Sequence, residues 1–280
     1  MAQEIIIGDD GRRIKMSIFS ASTNKRVLLV APAIGVGRRF YASIAAFFHA
    51  QDYNVLVFDY AEVMSDEDRL ADWGTQDITR VIDYASTTFS GQDIFFLGHS
   101  MAGQVLPLAA NASRIKAAML IASQNVAARY WRGWSYLTLM FYWRVVIPLC
   151  VKFSGYLPGI VYGGNDLSGG IARDWKAWAV SSDGILTAVP GAAEAYQRFT
   201  APIKFISFDP DFFAPPRSVE RLVDSYGSSI KEHEQFTRAR MPVRGNMHFA
   251  LFRKNNAAYW WRLEQWFSKW QSTEQVRKAG

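Results

Sequence analysis

The segment DIFFLGHSMAGQV, residues 93–105, constrains the possible fold more than any other part of this chain. Its apolar run Ile94-Phe95-Phe96-Leu97 has the pattern of a strand covered on both faces. The run stops at Gly98, and a helical pattern begins just after Ser100. A serine on so sharp a strand-to-helix turn holds a strained backbone and projects its hydroxyl above the sheet edge. Strand and helix approach closely there, so the flanking residues must be small; Gly98, Ala102 and Gly103 are. The turn also sets the backbone N–H of Met101 at a helix start, where it can donate to a developing oxyanion. The plainer reading is a Gly-Ser turn without chemistry. The strand before it, the helix after it and the surrounding rhythm weigh against that.

That rhythm runs in both directions. Residues 4–7 and 13–19 read as a hairpin, with Asp9-Asp10-Gly11 as the turn. Residues 26–31 (RVLLVA), 54–58 (NVLVF) and 116–121 (KAAMLI) are further buried strands. Residues 40–50, 73–88 and 101–110 have helical spacing, the second with Ile78, Val81, Ile82 and Ala85 on one face. Such alternation predicts a mostly parallel sheet with helices on both faces. It resumes later with a strand at 202–208 and a helix at 217–226. A last strand is expected near 236–241, and a closing helix at 257–270.

Between residues 124 and 195 the alternation breaks. The stretch is aromatic, glycine-rich and irregular, and five of the ten Trp lie between Trp131 and Trp178. A chain of 280 residues suits one large α/β domain with an insertion. The reading is therefore a core at 1–123 and 196–280, interrupted by a cap or lid at 124–195. Residues 136–151 form the longest apolar segment, but Arg144 and Pro148 interrupt it. It falls short of the ~20 apolar residues of a membrane span, so a buried or lid helix is expected.

Composition narrows the function. Cys150 is the single cysteine, which excludes an internal disulfide framework and a cysteine zinc site. Four histidines make a multi-histidine metal centre a poor reading. The net charge is +6, yet the basic residues are scattered, which argues against nucleic-acid binding. No basic start followed by an apolar stretch marks a signal peptide, so the default location is cytoplasmic.

A nucleophilic serine needs a base and an orienting carboxylate. Only His248 lies in a loop after the last expected strand. His99 adjoins the serine, but in such a turn it packs underneath. His49 ends an apolar helix, and His233 sits in the charged stretch Lys231-Glu232-His233-Glu234, read as a solvated face. The carboxylate belongs at the end of the strand after the insertion. Asp211 is preferred there, and Asp209 is the alternative, with bracing of the turn as its plainer role. The chain order Ser100, Asp211, His248 excludes the two other common serine-triad orders. A second oxyanion donor is expected from Ala31-Pro32-Ala33-Ile34-Gly35-Val36-Gly37. Pro32 cannot donate, and the N–H of Ile34 is the best candidate.

These segments resemble the α/β-hydrolase superfamily. Within it, they resemble the bacterial hydrolases of the serine-aminopeptidase-like, monoacylglycerol-lipase-like branch. The resemblance rests on residues 31–35 with Arg39-Phe40-Tyr41, on Phe58-Asp59-Tyr60, on Asp72-Trp73-Gly74 with Asp77, and on Gly98 to Gln104. It continues through Gly155-Tyr156-Leu157-Pro158-Gly159, Asp174-Trp175 with Trp178, Asp211 to Pro215, and Met247-His248-Phe249. It implies an eight-stranded core and serine-hydrolase chemistry without metal or cofactor, but no particular substrate. Two departures stand out. Ala61-Glu62-Val63-Met64-Ser65 replaces the Arg-Gly and small residue that often follow Phe-Asp-Tyr, and Ala102 stands where glycine is usual.

The expected chemistry is cleavage of a small-molecule ester or thioester with a hydrophobic acyl part, through a covalent serine ester. Trp131, Trp134, Tyr136, Met140, Phe141 and Trp143 are the expected substrate-binding residues of the lid. Their plainer role is packing the insertion onto the core. Shallow membrane contact, helped by Arg129, Arg132 and Arg144, is a third reading. Arg38 and Arg39 could meet an anionic group but read as solvated. Two other functions use the same residues: an acyltransferase or cyclase that excludes water, and a catalytically silent protein that binds a hydrophobic ligand.

Overall fold

The computed structural model describes residues 3–8, 12–61, 66–241 and 246–272. Eight strands form the main sheet: β1 (Gln3–Ile7), β2 (Ile14–Phe19), β3 (Arg26–Ala31), β4 (Tyr53–Phe58), β5 (Asp93–His99), β6 (Ile115–Ile121), β9 (Ile203–Asp209) and β10 (Lys231–Thr237). Two short strands, β7 (Tyr156–Leu157) and β8 (Leu167–Ser168), pair separately between β6 and β9. The main order is β1-β2-β4-β3-β5-β6-β9-β10. β2 runs antiparallel to both of its neighbours, and every other pairing is parallel. The hairpin expected at the N-terminus forms, with Ile7 opposite Ile14. Its Asp9-Asp10-Gly11 turn lies outside the described residues.

Strand periodicity makes the core two-sided. Leu29, Leu56, Phe96 and Leu120 face one helical layer, while Leu28, Val55, Phe95 and Met119 face the other. All eight side chains are fully buried, and each such burial contributes roughly 1.5–3 kcal/mol. This two-faced burial is why the central strands read as solid apolar runs.

Three elements differ from expectation. The last strand is β10, at Lys231–Thr237, upstream of the expected position. As an edge strand it carries charge, and Lys204 and Arg262 pair with Glu234. His233 lies exposed on this strand, bonded to Ser207 Oγ at 2.8 Å, and partial desolvation of its ring lowers its pKa. The helix after Ser100 is short, spanning Ala102–Val105 and then a tight turn Leu106–Leu108. Pro107 lacks the N–H needed to continue it.

The third difference is the apolar segment of the insertion. It is one continuous 22-residue helix, Gly133–Ser154, with a mean hydropathy of 1.4 over its most apolar window. By length and composition it could cross a membrane. Trp143 and Ile147 pack inward, but Trp134, Leu137, Phe141, Leu149 and Phe153 are exposed. Of the two expectations, a buried or a lid helix, the exposed outer face overturns the first. Pro148 is accommodated because the wide turn Tyr142–Val146 just before it interrupts the regular bonding that its missing N–H would join.

The segment between β6 and β9 is tied to the core by polar contacts. Ser168 donates to Asp68 at 3.1 Å, and Asp174 accepts the Leu70 N–H at 2.9 Å. Asp68 is itself held within the core by Arg12 at 3.2 Å, which also grips buried Asp77 with two bonds, of 2.7 and 3.0 Å. On the other side, Asp183 pairs with Arg221 and accepts the Tyr130 hydroxyl at 2.6 Å. Burial pushes the Asp183 carboxyl up, but the Arg221 and Tyr130 bonds outweigh it, leaving its pKa below the ordinary 3.8. A depressed carboxylate stabilises the fold above its unfolded pKa, and that stability is lost as pH falls through the folded value. Asp183→Asn should therefore cost about 1 kcal/mol at neutral pH, because Arg221 stays partly exposed and screened. The gap in melting temperature from the native chain, about 2–4 °C, should close below about pH 4.

Candidate active site

Ser100 joins β5 to the helix Ala102–Val105 with φ of +52°, a left-handed conformation rare for a residue with a side chain. The strain is held by the sheet, since the Ser100 N–H donates to Ile121 O of β6 at 2.9 Å. The usual glycine is absent at 102, and the Ala102 methyl is accommodated by Gly98. A Cβ on Gly98 would lie 3.2 Å from the Ala102 Cβ and closer still to Phe96 and Leu120. One alanine is tolerated on the turn because its neighbour across the turn has no side chain.

Asp211 follows β9 in a loop and is buried. One of its oxygens accepts the N–H groups of Phe213 and Ala214, at 2.9 and 3.3 Å. The other faces His248 Nδ1 at 2.8 Å. A carboxylate only accepts, so Nδ1 carries the proton and Nε2 is left with a free lone pair. Asp209 lies exposed at the end of β9 and has no part in this pair. His248 is buried on the turn Met247–Phe252, its N–H held by Asn246 Oδ1 at 2.9 Å.

Ser100 and His248 line one cavity open to solvent, together with Ile34 and Met101. No hydrogen bond joins the Ser100 hydroxyl to His248 in this state; such links often tighten only with substrate bound. Among the described residues, no acceptor meets the backbone N–H of Ile34 or Met101. Both are thus free to donate to a ligand oxygen.

A buried chain of hydrogen bonds connects the loops that carry these groups. His248 O only accepts, so His99 Nε2 must carry a proton and donate to it at 2.9 Å. His99 Nδ1 is then an acceptor, and Tyr41 donates its O–H to it at 2.8 Å. Tyr41 in turn accepts the Ala33 N–H at 2.9 Å. The loop bearing Ile34 is so linked through Tyr41 and His99 to the backbone of His248. Burial keeps His99 neutral by lowering its pKa well below 6.5. His99 packs under the turn as expected, but its bond to His248 O is not legible in sequence.

Gly35 fixes the other side of the same loop. It has φ of +69°, and a Cβ there would collide with the Tyr162 ring and hydroxyl. Its carbonyl accepts the Asn165 N–H at 2.8 Å. The segment between β6 and β9 therefore rests directly on the loop that carries Ile34 into the cavity lining.

No protein-family profile and no curated protein matches this sequence. Solved structures do. DcsB, in a complex with its substrate analogue, superposes with a TM-score of 0.70 at 12% identity, over 98% of this chain and 100% of that one. A soluble variant of monoglyceride lipase from Saccharomyces cerevisiae, bound to a substrate analogue, gives 0.67 at 14% identity, over 98% and 96%. Est1E from Butyrivibrio proteoclasticus with bound ferulic acid gives 0.62 at 14% identity, over 95% and 98%. This chain has the α/β-hydrolase fold.

Within that fold, the sequence-predicted lid residues do not gather at the cavity. Trp131 is buried elsewhere, its indole N–H bonded to Phe212 O at 2.8 Å. Trp134, Tyr136 and Phe141 are exposed, and Met140 and Trp143 pack toward the core. The reason is helical geometry: on Gly133–Ser154 these side chains point in several directions. The segment between β6 and β9 instead contributes Gln124, Tyr162, Gly163 and Trp175, while Phe213 and Phe249 come from beyond β9. Trp175 and Phe249 fall in segments that carried the family resemblance, and Phe213 follows Asp211 closely. Nothing in the sequence marked Gln124.

The remaining candidates are structural. Arg38 is held by Asp59, Glu4 and Ser17 and is not solvated. Arg39 is exposed. His49 Nδ1 lies 3.2 Å from both Asn24 Nδ2 and Tyr53 O. Among the described residues, no three His, Cys, Asp or Glu side chains gather as metal ligands.

Proposed function

We propose that this protein is a serine hydrolase that cleaves a carboxylic ester or thioester with a hydrophobic acyl part. The observation that carries this reading is one cavity shared by Ser100 on its left-handed turn, by His248 with Nδ1 committed to buried Asp211, and by two unused N–H groups. The lipase and esterase among the superposed structures support ester chemistry for this fold.

In this reading, His248 Nε2 takes the Ser100 proton as Oγ attacks the acyl carbon. The C=O becomes a tetrahedral oxyanion, which the N–H groups of Ile34 and Met101 receive. The oxyanion collapses, the bond to the alcohol or thiol breaks, and His248 returns the proton to the leaving group. A water activated by His248 then attacks the acyl-serine and releases the acid. Asp211 holds the imidazole in the tautomer both halves require.

The test is covalent labelling with a fluorophosphonate probe. The native chain should label, while Ser100→Ala and His248→Ala should not. A folded native chain that resists the probe would remove serine chemistry from consideration.

A second reading concerns where the enzyme works. The exposed stripe Trp134, Leu137, Phe141, Leu149 and Phe153 is flanked by exposed Arg132, Arg144 and Lys152. An apolar face with cationic flanks suits an acidic lipid surface, with the helix lying in the interface. Its inner face is occupied by Trp143 and Ile147, which disfavours spanning. Native protein should sediment with vesicles containing phosphatidylglycerol, and Trp134→Ser with Phe141→Ser should weaken that binding about 10-fold or more. Equal sedimentation of both proteins would remove this reading.

A further inference from the structure

Two residues that line the cavity above Ser100 carry buried polar atoms that the proposed mechanism leaves unused. Gln124 is only 7% exposed, and its side-chain carbonyl has no hydrogen-bond partner. The indole N–H of Trp175 is likewise buried and unpartnered. Both residues line the cavity. Gln104 and Ser123 also bury unpaired polar atoms, but neither lines it.

Both groups are firmly mounted. The Ala122 N–H donates to Ile206 O at 2.8 Å and the Asn125 N–H to Ser218 O at 3.0 Å, fixing the backbone on either side of Gln124. Trp175 is wedged edge-on between Trp143 and Tyr162, with ring centroids 4.8 and 5.6 Å away. The backbone that carries Gln124 and the ring of Trp175 are therefore both held in place.

An unpaired buried polar group is costly, and a ligand that pairs it recovers that cost. A purely aliphatic acyl chain would leave both atoms unpaired. The indole N–H needs an acceptor, and a primary amide both donates and accepts. A hydroxyl or oxo oxygen on the acyl part answers the indole, and a hydroxyl answers both.

We propose that Gln124 and Trp175 form a polar subsite that selects an oxygenated acyl group, with a hydroxyl or oxo substituent, over a plain aliphatic one of equal length. The proposal rests on the reading of Ser100 as the nucleophile. It adds the substrate class to that reading, and it makes these two residues specificity determinants.

The test compares N-acetylcysteamine thioesters of octanoate, 2-hydroxyoctanoate, 3-hydroxyoctanoate and 3-oxooctanoate. The best oxygenated substrate should exceed octanoyl in kcat/KM by about 10-fold or more. Gln124→Met, close in shape to glutamine, and Trp175→Phe, which keeps an aromatic ring but has no N–H, should each bring that ratio near one. A ratio near one in the native chain, or one that survives both substitutions, overturns the proposal; the two polar atoms would then hold only ordered water. A parallel measurement does not need turnover. Folded Ser100→Ala should bind the preferred oxygenated acid about 10-fold more tightly than octanoic acid by calorimetry, and equal or absent binding of both acids again overturns it. Failure of the hydrolase reading is recognised separately, by the absence of fluorophosphonate labelling.

Discussion

Ser100→Ala is expected to lower kcat on an activated ester by about 10⁶-fold, with little change in melting temperature. The size follows from what is removed. Without Oγ no acyl-enzyme forms, and water must attack the bound ester directly. Ile34, Met101 and the cavity still bind the substrate, so a residual rate of about 10³–10⁴ over water should remain. Stability should hold because alanine occupies the same left-handed turn and, among the described residues, the Ser100 hydroxyl has no partner to lose. The measurement is single-turnover kinetics beside a thermal melt. A variant that is folded and retains more than a few per cent of native turnover would sink the serine mechanism.

Asp211→Asn should lower kcat by about 10⁴-fold, while Asp209→Asn should stay within a few-fold of native. The amide introduced at position 211 would keep the bonds from Phe213 and Ala214 if its carbonyl oxygen faced their N–H groups. Its NH₂ would then face His248 Nδ1 and favour protonation at Nε2, the wrong tautomer for a base. Asp209 is exposed, so the same change there alters no partner of His248. The pair of variants therefore separates the two carboxylates by mechanism as well as by position. A large loss at 209 with little at 211 would reverse the assignment.

The sequence by itself determined the parts of this protein that depend on local pattern. Solid apolar runs predicted β3, β4, β5 and β6 because a parallel strand buried on both faces tolerates little polarity. Gly98, Ser100 and Ala102 predicted the turn because only small residues fit where strand meets helix. Chain order placed Ser100, Asp211 and His248, and the tertiary structure joins Asp211 to His248 at 2.8 Å.

Only the tertiary structure decided what depends on distant contacts. Residues 231–234 look like a solvated charged stretch; they open an edge strand because β9 offers a pairing edge and Lys204 and Arg262 neutralise Glu234. The aromatic run from Trp131 to Trp143 looks like a substrate wall. Helical rotation sends those side chains to the surface and toward the core, and the cavity wall comes from Tyr162 and Trp175. The His99–Tyr41–Ala33 chain and the unpaired Gln124 carbonyl are equally invisible in one dimension. A hydrogen bond, or the lack of one, is set by which segments meet across the fold, and a residue's own neighbours in sequence do not encode that meeting.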